Sequence, residues 1–62
     1  KKLSKMIVAK DDLASGRVLS ESDFDYRSPG HGIAPADSGI LVGKALTRDI
    51  AALTPILEGD VA

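Results

Sequence analysis

Apolar residues along this chain come in short bursts, each closed by an acidic or glycine-bearing break. Met6, Ile7, Val8 and Ala9 form a β-branched-rich run that ends in Lys10, Asp11 and Asp12, the pattern of a strand entering a turn. Leu13 and Ala14 follow, Ser15 and Gly16 make a second break, and Val18 with Leu19 reads as another brief strand. Ser20 stands three positions before Asp23, a short-armed capping box in which the serine hydroxyl caps one helical turn and Phe24 is driven inward. Residues 25–28 are expected to be extended. Pro35 suits a first helical position, so residues 36–41 are predicted to form a short helix with Gly43 at its C-terminal cap. Residues 44–47 and 54–57 resemble two more short strands.

The bursts repeat. Residues 8–24 lie without gaps on residues 45–61, placing Asp12 on Asp49, Leu13 on Ile50, Ala14 on Ala51, Leu19 on Ile56, Glu21 on Glu58 and Asp23 on Asp60. Each half then reads strand, Asp-aliphatic turn, strand, acidic turn, aliphatic plug. Chance alignment in a chain rich in Ala and Leu is the competing reading. A true repeat implies two pseudo-symmetric halves around one core.

Between the halves lies the most constrained backbone in the chain: Pro29, Gly30, His31, Gly32, Ile33, Ala34 and Pro35. Glycine supplies positive φ without a Cβ clash, and proline fixes φ and pushes the preceding residue toward extended geometry. The expectation is a rigid, sharply turned surface loop, shaped by Pro29, Gly30, Gly32 and Pro35. Loops held on a rigid scaffold are where binding concentrates.

Composition narrows the classes. The chain has 62 residues and makes one small domain; at this size about 60% of the unfolded chain's surface is buried, against an ordering cost of about 1.5 kcal/mol per residue. It has no cysteine, so neither a disulfide nor a zinc-thiolate site is available. Phe24 and Tyr26 are the only aromatics, leaving Ile, Leu, Val, Met and Ala to build the core. Net charge is −1 with no basic stripe, which argues against nucleic acid. No apolar run approaches the roughly 20 residues of a membrane-spanning helix, and no stretch has the form of a signal peptide. Lys1, Lys2 and Lys5 precede Met6 without an initiating methionine, so residues 1–5 are expected to be the end of an inter-domain linker or the remnant of a tag, with the domain proper at 6–62.

Catalysis needs a nucleophile with its base, a metal cage or paired carboxylates enclosed around substrate. None of these constellations is visible, and no catalytic residue or metal ligand is assigned. His31 is the sole histidine, more in keeping with an exposed loop side chain than with a ligand. Asp11 with Asp12, and Asp23 with Asp25, read as turn formers and solvated faces rather than an acid/base pair. Arg27 precedes the Pro-Gly turn, where a planar guanidinium could meet a carbonyl or carboxylate, or serve as an ordinary surface arginine.

Residues 26–35 followed by Leu41, Val42, Gly43 and Lys44 resemble the C-terminal antifreeze-like domain of sialic acid synthases, within the wider SAF family. Ile7, Val8, Ala9, Asp12, Leu13, Gly16, Val18, Leu19, Asp23 and Phe24 match the broader SAF signature. The resemblance implies a mostly β, β-clip fold with short helical turns. It implies a cytoplasmic, substrate-capping and dimer-stabilising domain that leans over the active site of a neighbouring subunit in a domain-swapped dimer. The parent would condense phosphoenolpyruvate with N-acetylmannosamine or a related amino sugar, using a divalent Mn or Mg ion in its TIM barrel; this domain holds no cofactor and meets neither nucleic acid nor membrane. In that family an arginine directly before the proline contacts the N-acyl group. Here Ser28 occupies that place and Arg27 the one before it, so the substrate-binding candidates are Arg27, Ser28 and His31. Two other SAF roles compete: a binding module of a pilus or flagellar assembly protein, and ice binding as in type III antifreeze proteins. Ice binding is disfavoured by Asp11, Arg17, Glu21 and Asp23 on the corresponding face.

Overall fold

The computed structural model describes residues 5–28 and 32–62. Its centre is strand β1 (Met6–Ala9), which pairs antiparallel with β2 (Phe24–Arg27) in the register Met6 with Arg27, Ile7 with Tyr26, Val8 with Asp25 and Ala9 with Phe24. Its other edge is also taken. The Ala9 amide donates to the Thr54 carbonyl at 3.0 Å, the Leu53 amide to the Ala9 carbonyl at 2.7 Å and the Ile56 amide to the Ile7 carbonyl at 3.2 Å. With both edges paired, Ile7, Val8 and Ala9 have no exposed surface, which is why this run is continuously apolar instead of alternating.

Each of these contacts has a counterpart in the other half. The Leu46 amide donates to the Arg17 carbonyl at 3.0 Å, the Gly16 amide to the Leu46 carbonyl at 2.8 Å and the Leu19 amide to the Lys44 carbonyl at 2.9 Å. At the pseudo-twofold axis itself, Leu13 and Ile50 exchange both amide-to-carbonyl bonds at 2.8 Å. The alignment of residues 8–24 on 45–61 is therefore a structural repeat and not chance. The symmetry is imperfect along the strands: those expected at residues 18–19, 44–47 and 54–57 shrink to isolated bridges, Val8 with Pro55, Val18 with Ala45 and Leu46 with Val61. Pro55 has no amide hydrogen to extend its ladder, and Val18, 61% exposed, has little burial to favour one.

Among the described residues, helical structure is confined to 3-10 turns at Glu21–Asp23, Pro35–Ile40 and Glu58–Asp60. The first and third are symmetry mates, each ending in a buried aspartate. The expected capping box of Ser20 with Asp23 is present, and its carboxylate half is the part shared by both turns. The Ser20 hydroxyl bonds the Ser22 hydroxyl at 2.9 Å, and the Asp23 carboxylate reaches back to the Ser20 amide at 3.1 Å. Asp60 does the same to the Leu57 amide at 2.9 Å, where no hydroxyl exists at all. The closing aspartate is thus common to both turns, while the first position is serine in one and leucine in the other. The helix expected over 36–41 is a 3-10 segment starting at Pro35, broken at Asp37 (φ −103°, ψ 18°). Gly43 follows at φ 86°, the left-handed geometry anticipated for it.

The core is aliphatic, as composition required: Ile7, Ala9, Leu13, Leu19, Leu41, Leu46, Ile50 and Ile56, with Phe24 as the one large aromatic plug. Both halves contribute equivalent pairs, Leu13 with Ile50 and Leu19 with Ile56. Neither half buries its apolar face without the other.

Candidate functional site

Strand β1 supports the constrained loop from both ends. On the incoming side Arg27 lies opposite Met6, and on the outgoing side the Ile33 carbonyl accepts the Ile7 amide at 2.8 Å. Two consecutive residues of one strand, Met6 and the fully buried Ile7, therefore hold the loop's two feet. Pro29, Gly30 and His31 lie outside the described residues, so the positive φ expected at Gly30 and the role expected of His31 have no geometry to report. Ser28 is exposed at the end of β2.

Arg27 is half exposed, and its Nη2 donates to Asp25 Oδ2 at 3.1 Å. The two share a face of β2, as the period of a strand demands. An exposed pair of this kind contributes little to stability, about 0–1 kcal/mol. The guanidinium is thus held at the loop's foot by a contact that an incoming polar group could replace at small cost.

Gly32 is used differently from the expectation. Among the described residues the glycines in left-handed geometry are Gly16 and Gly43, and Gly32 is not one of them. What Gly32 provides is closeness: a Cβ there would lie 3.2 Å from Leu57 Cδ2 and 3.8 Å from the Cβ atoms of Met6 and Pro55. Pro35 opens the second 3-10 turn immediately beyond, as expected. Leu57, 43% exposed, was not singled out by sequence, because its contact with the loop joins residues far apart in the chain.

The acidic residues prove structural. Asp23 forms a turn as expected, but at 6% exposed it is not on a solvated face, and its mate Asp60 is 7% exposed. Arg17 donates to both oxygens of Asp23, at 2.8 and 3.1 Å, and Arg48 to Asp60 at 2.7 Å. The Arg17 hydrogen bond, helped by the Ser20 amide and opposed by burial, holds the Asp23 carboxyl below the usual carboxylate range. Arg48 and the Leu57 amide do the same for Asp60. Asp23 is therefore withdrawn from the charged face, on which Arg17, Asp11 and Glu21 remain exposed. The two arginines are not symmetry mates although their carboxylates are, so each half reaches its carboxylate with a cation from a different position.

Asp12 and Asp49 flank the pseudo-twofold axis. Asp12 Oδ1 accepts the Ala52 amide and Asp49 Oδ1 the Ser15 amide, both at 2.8 Å. An open cleft of about 430 Å³ lies between them, floored by Leu13, Ala14, Ile50 and Ala51. These carboxylates clamp turns of the opposite half, which accounts for their types and spacing without chemistry. Among the described residues no group of three or more His, Cys, Asp or Glu could hold a metal ion, and no helix is long and apolar enough to cross a membrane.

Small size, a core strand shared by two pseudo-symmetric halves, acidic 3-10 turns and a loop mounted on that strand define a compact β-rich module. The SAF domain family matches residues 4–62, and the chain belongs to that family. No curated protein is a match for it.

Proposed function

We propose that this SAF domain is the substrate-capping, dimer-stabilising domain of a sialic acid synthase-like enzyme of the cytoplasm, one that condenses phosphoenolpyruvate with N-acetylmannosamine or a related amino sugar. The observation that carries the reading is the joining of the Pro-Gly loop at residues 29–35 to Leu41, Val42, Gly43 and Lys44, the narrower of the chain's two likenesses. The mounting of that loop supports it. A side chain at the end of β2 inherits the rigidity of a strand that is paired on both edges, which is what orienting a bound group requires.

In this reading Arg27 and Ser28 offer a cation and a hydroxyl to the acyl group of a sugar bound in the neighbouring subunit's barrel, and His31 is the third candidate contact. Asp25 holds the guanidinium extended until substrate replaces it. The domain's contribution is closure, excluding water and fixing orientation. The chemistry, including the divalent metal, belongs to the barrel, and this chain supplies neither base nor metal ligand.

The test is kinetic, in the intact dimeric enzyme. Arg27→Ala is expected to raise the sugar KM roughly tenfold, the scale of one hydrogen bond to a charged group, with the phosphoenolpyruvate KM little changed. Equal effects on the two constants would overturn the reading. So would finding that the parent polypeptide is a pilus or flagellar assembly protein with no barrel.

A further inference from the structure

The bonds that hold this domain together sort into two sets. Within each half the acidic turn closes on the strand before it: the Lys10 amide donates to the Asp23 carbonyl at 2.9 Å and the Thr47 amide to the Asp60 carbonyl at 2.8 Å. The Arg17–Asp23 and Arg48–Asp60 ion pairs also stay within their halves. Among the described residues the bonds between the halves are answered by their mates, apart from the Lys44 amide's bond to the Leu41 carbonyl at 3.1 Å, which spans residue 43. Leu13 and Ile50 exchange amides, Ala9 with Thr54 mirrors Leu46 with Arg17, Ile56 with Ile7 mirrors Leu19 with Lys44, and Asp12 on Ala52 mirrors Asp49 on Ser15. Each half is therefore a surface complementary to the other, and a second copy of the chain carries the same two surfaces.

The covalent hinge sits where the contacts of the second half begin. Gly43, at φ 86°, donates its amide to the Leu19 carbonyl at 2.9 Å, and Lys44 accepts from Leu19 in return. Straightening the turn at this residue releases residues 44–62 as a unit.

We propose that two copies of this chain associate by exchanging residues 44–62 about Gly43, each lobe combining one copy's first half with the other's second. The proposal is independent of the function proposed above. Contacts between halves are the same in monomer and dimer, so the balance is set by concentration and by the hinge alone. A left-handed turn costs glycine nothing and a β-branched residue a good deal. A Cβ at Gly43 would meet nothing within 4 Å, so a substitution there acts through the backbone and not through a clash.

The wild-type chain and Gly43→Val are refolded from denaturant at micromolar and at millimolar concentration and sized by light scattering. Equal mixtures of carbon-13-labelled and unlabelled chains are then read by isotope-filtered NOE. The wild type is expected to form dimer at millimolar concentration, Gly43→Val to lower the apparent Kd about a hundredfold, since each dimer relieves two hinges, and the Leu13–Ile50 contact to run between chains. A dimer whose Leu13–Ile50 contact stays within one chain overturns the proposal, and so does a wild type that stays monomeric at millimolar concentration. Where Gly43→Val does not fold, the wild-type measurement decides alone.

Discussion

Leu53 stands where the pseudo-twofold axis places Gly16, and both adopt left-handed backbone geometry, at φ 66° and 89°. Their amides make the same bond, Leu53 to the Ala9 carbonyl and Gly16 to the Leu46 carbonyl. The turn demands that conformation whatever residue occupies it. Leucine accepts the strain of a Cβ there, about 1–2 kcal/mol, while half of its side chain stays in water.

Leu53→Gly is therefore expected to stabilise the domain. The relief of strain exceeds glycine's larger unfolded-state entropy, about 0.5–1 kcal/mol, leaving a net gain of up to about 1 kcal/mol. Gly16→Leu is expected to cost about as much as the strain it introduces. Thermal unfolding checks both: a domain of this size shifts about 4–8 °C per kcal/mol, and a fall in Tm for Leu53→Gly would mean the exposed leucine packs better than its geometry indicates.

Asp12 and Asp49 each cap a turn of the opposite half at the same distance, 2.8 Å. Removal of either carboxylate leaves one amide to water at an exposed site, so Asp12→Ala and Asp49→Ala are each expected to cost about 0.5–1.5 kcal/mol. The two costs should agree closely, because the environments are related by the axis. Urea midpoints measure this, and a large difference between the variants would show that the halves are energetically unlike despite matching bonds.

Stability should depend on acid through Asp23 and Asp60. Both have folded-state pKa values lowered by their arginines and by turn amides, so in acid the unfolded chain binds more protons than the folded one. The stabilisation is fully present above the unfolded carboxylate value near 3.9 and is lost as pH falls through that value and on through the lowered folded values. Urea midpoints are expected to hold steady from neutrality to about pH 5 and to drop below about pH 4. The variant carrying both Asp23→Asn and Asp60→Asn should be less stable at neutral pH and should show a shallower acid decline. An unchanged decline would assign the acid sensitivity to other carboxylates.

Much of this architecture was legible because it depends on local chemistry repeated twice. The equivalence of Asp12 with Asp49 and of Leu13 with Ile50 appears in the linear order, and the structure turns each pairing into a contact at or beside the axis. Phe24 as the plug and Gly43 as a left-handed turn follow from residue type and position alone. The first acidic turn was recognised with its capping box, and its mate at residues 58–60 keeps the carboxylate half alone. The Ser20 hydroxyl also reaches Ser22, and the leucine at position 57 shows that the aspartate at the end is the part of the box both turns share.

Amino-acid order by itself determined what each short segment could do: a continuous apolar run fit for an interior strand, turns bounded by Asp and Gly, and an aliphatic core. Those properties depend on side-chain volume, on φ preference and on neighbours a few positions away. Only the tertiary structure decided that Asp23 and Asp60 are buried and paired. It alone showed that Gly32 is small because Leu57 approaches it, and that both feet of the loop stand on β1. Such facts join residues from opposite ends of the chain, where burial and partner are set by the packing of one half on the other, and no local preference encodes which distant group will arrive.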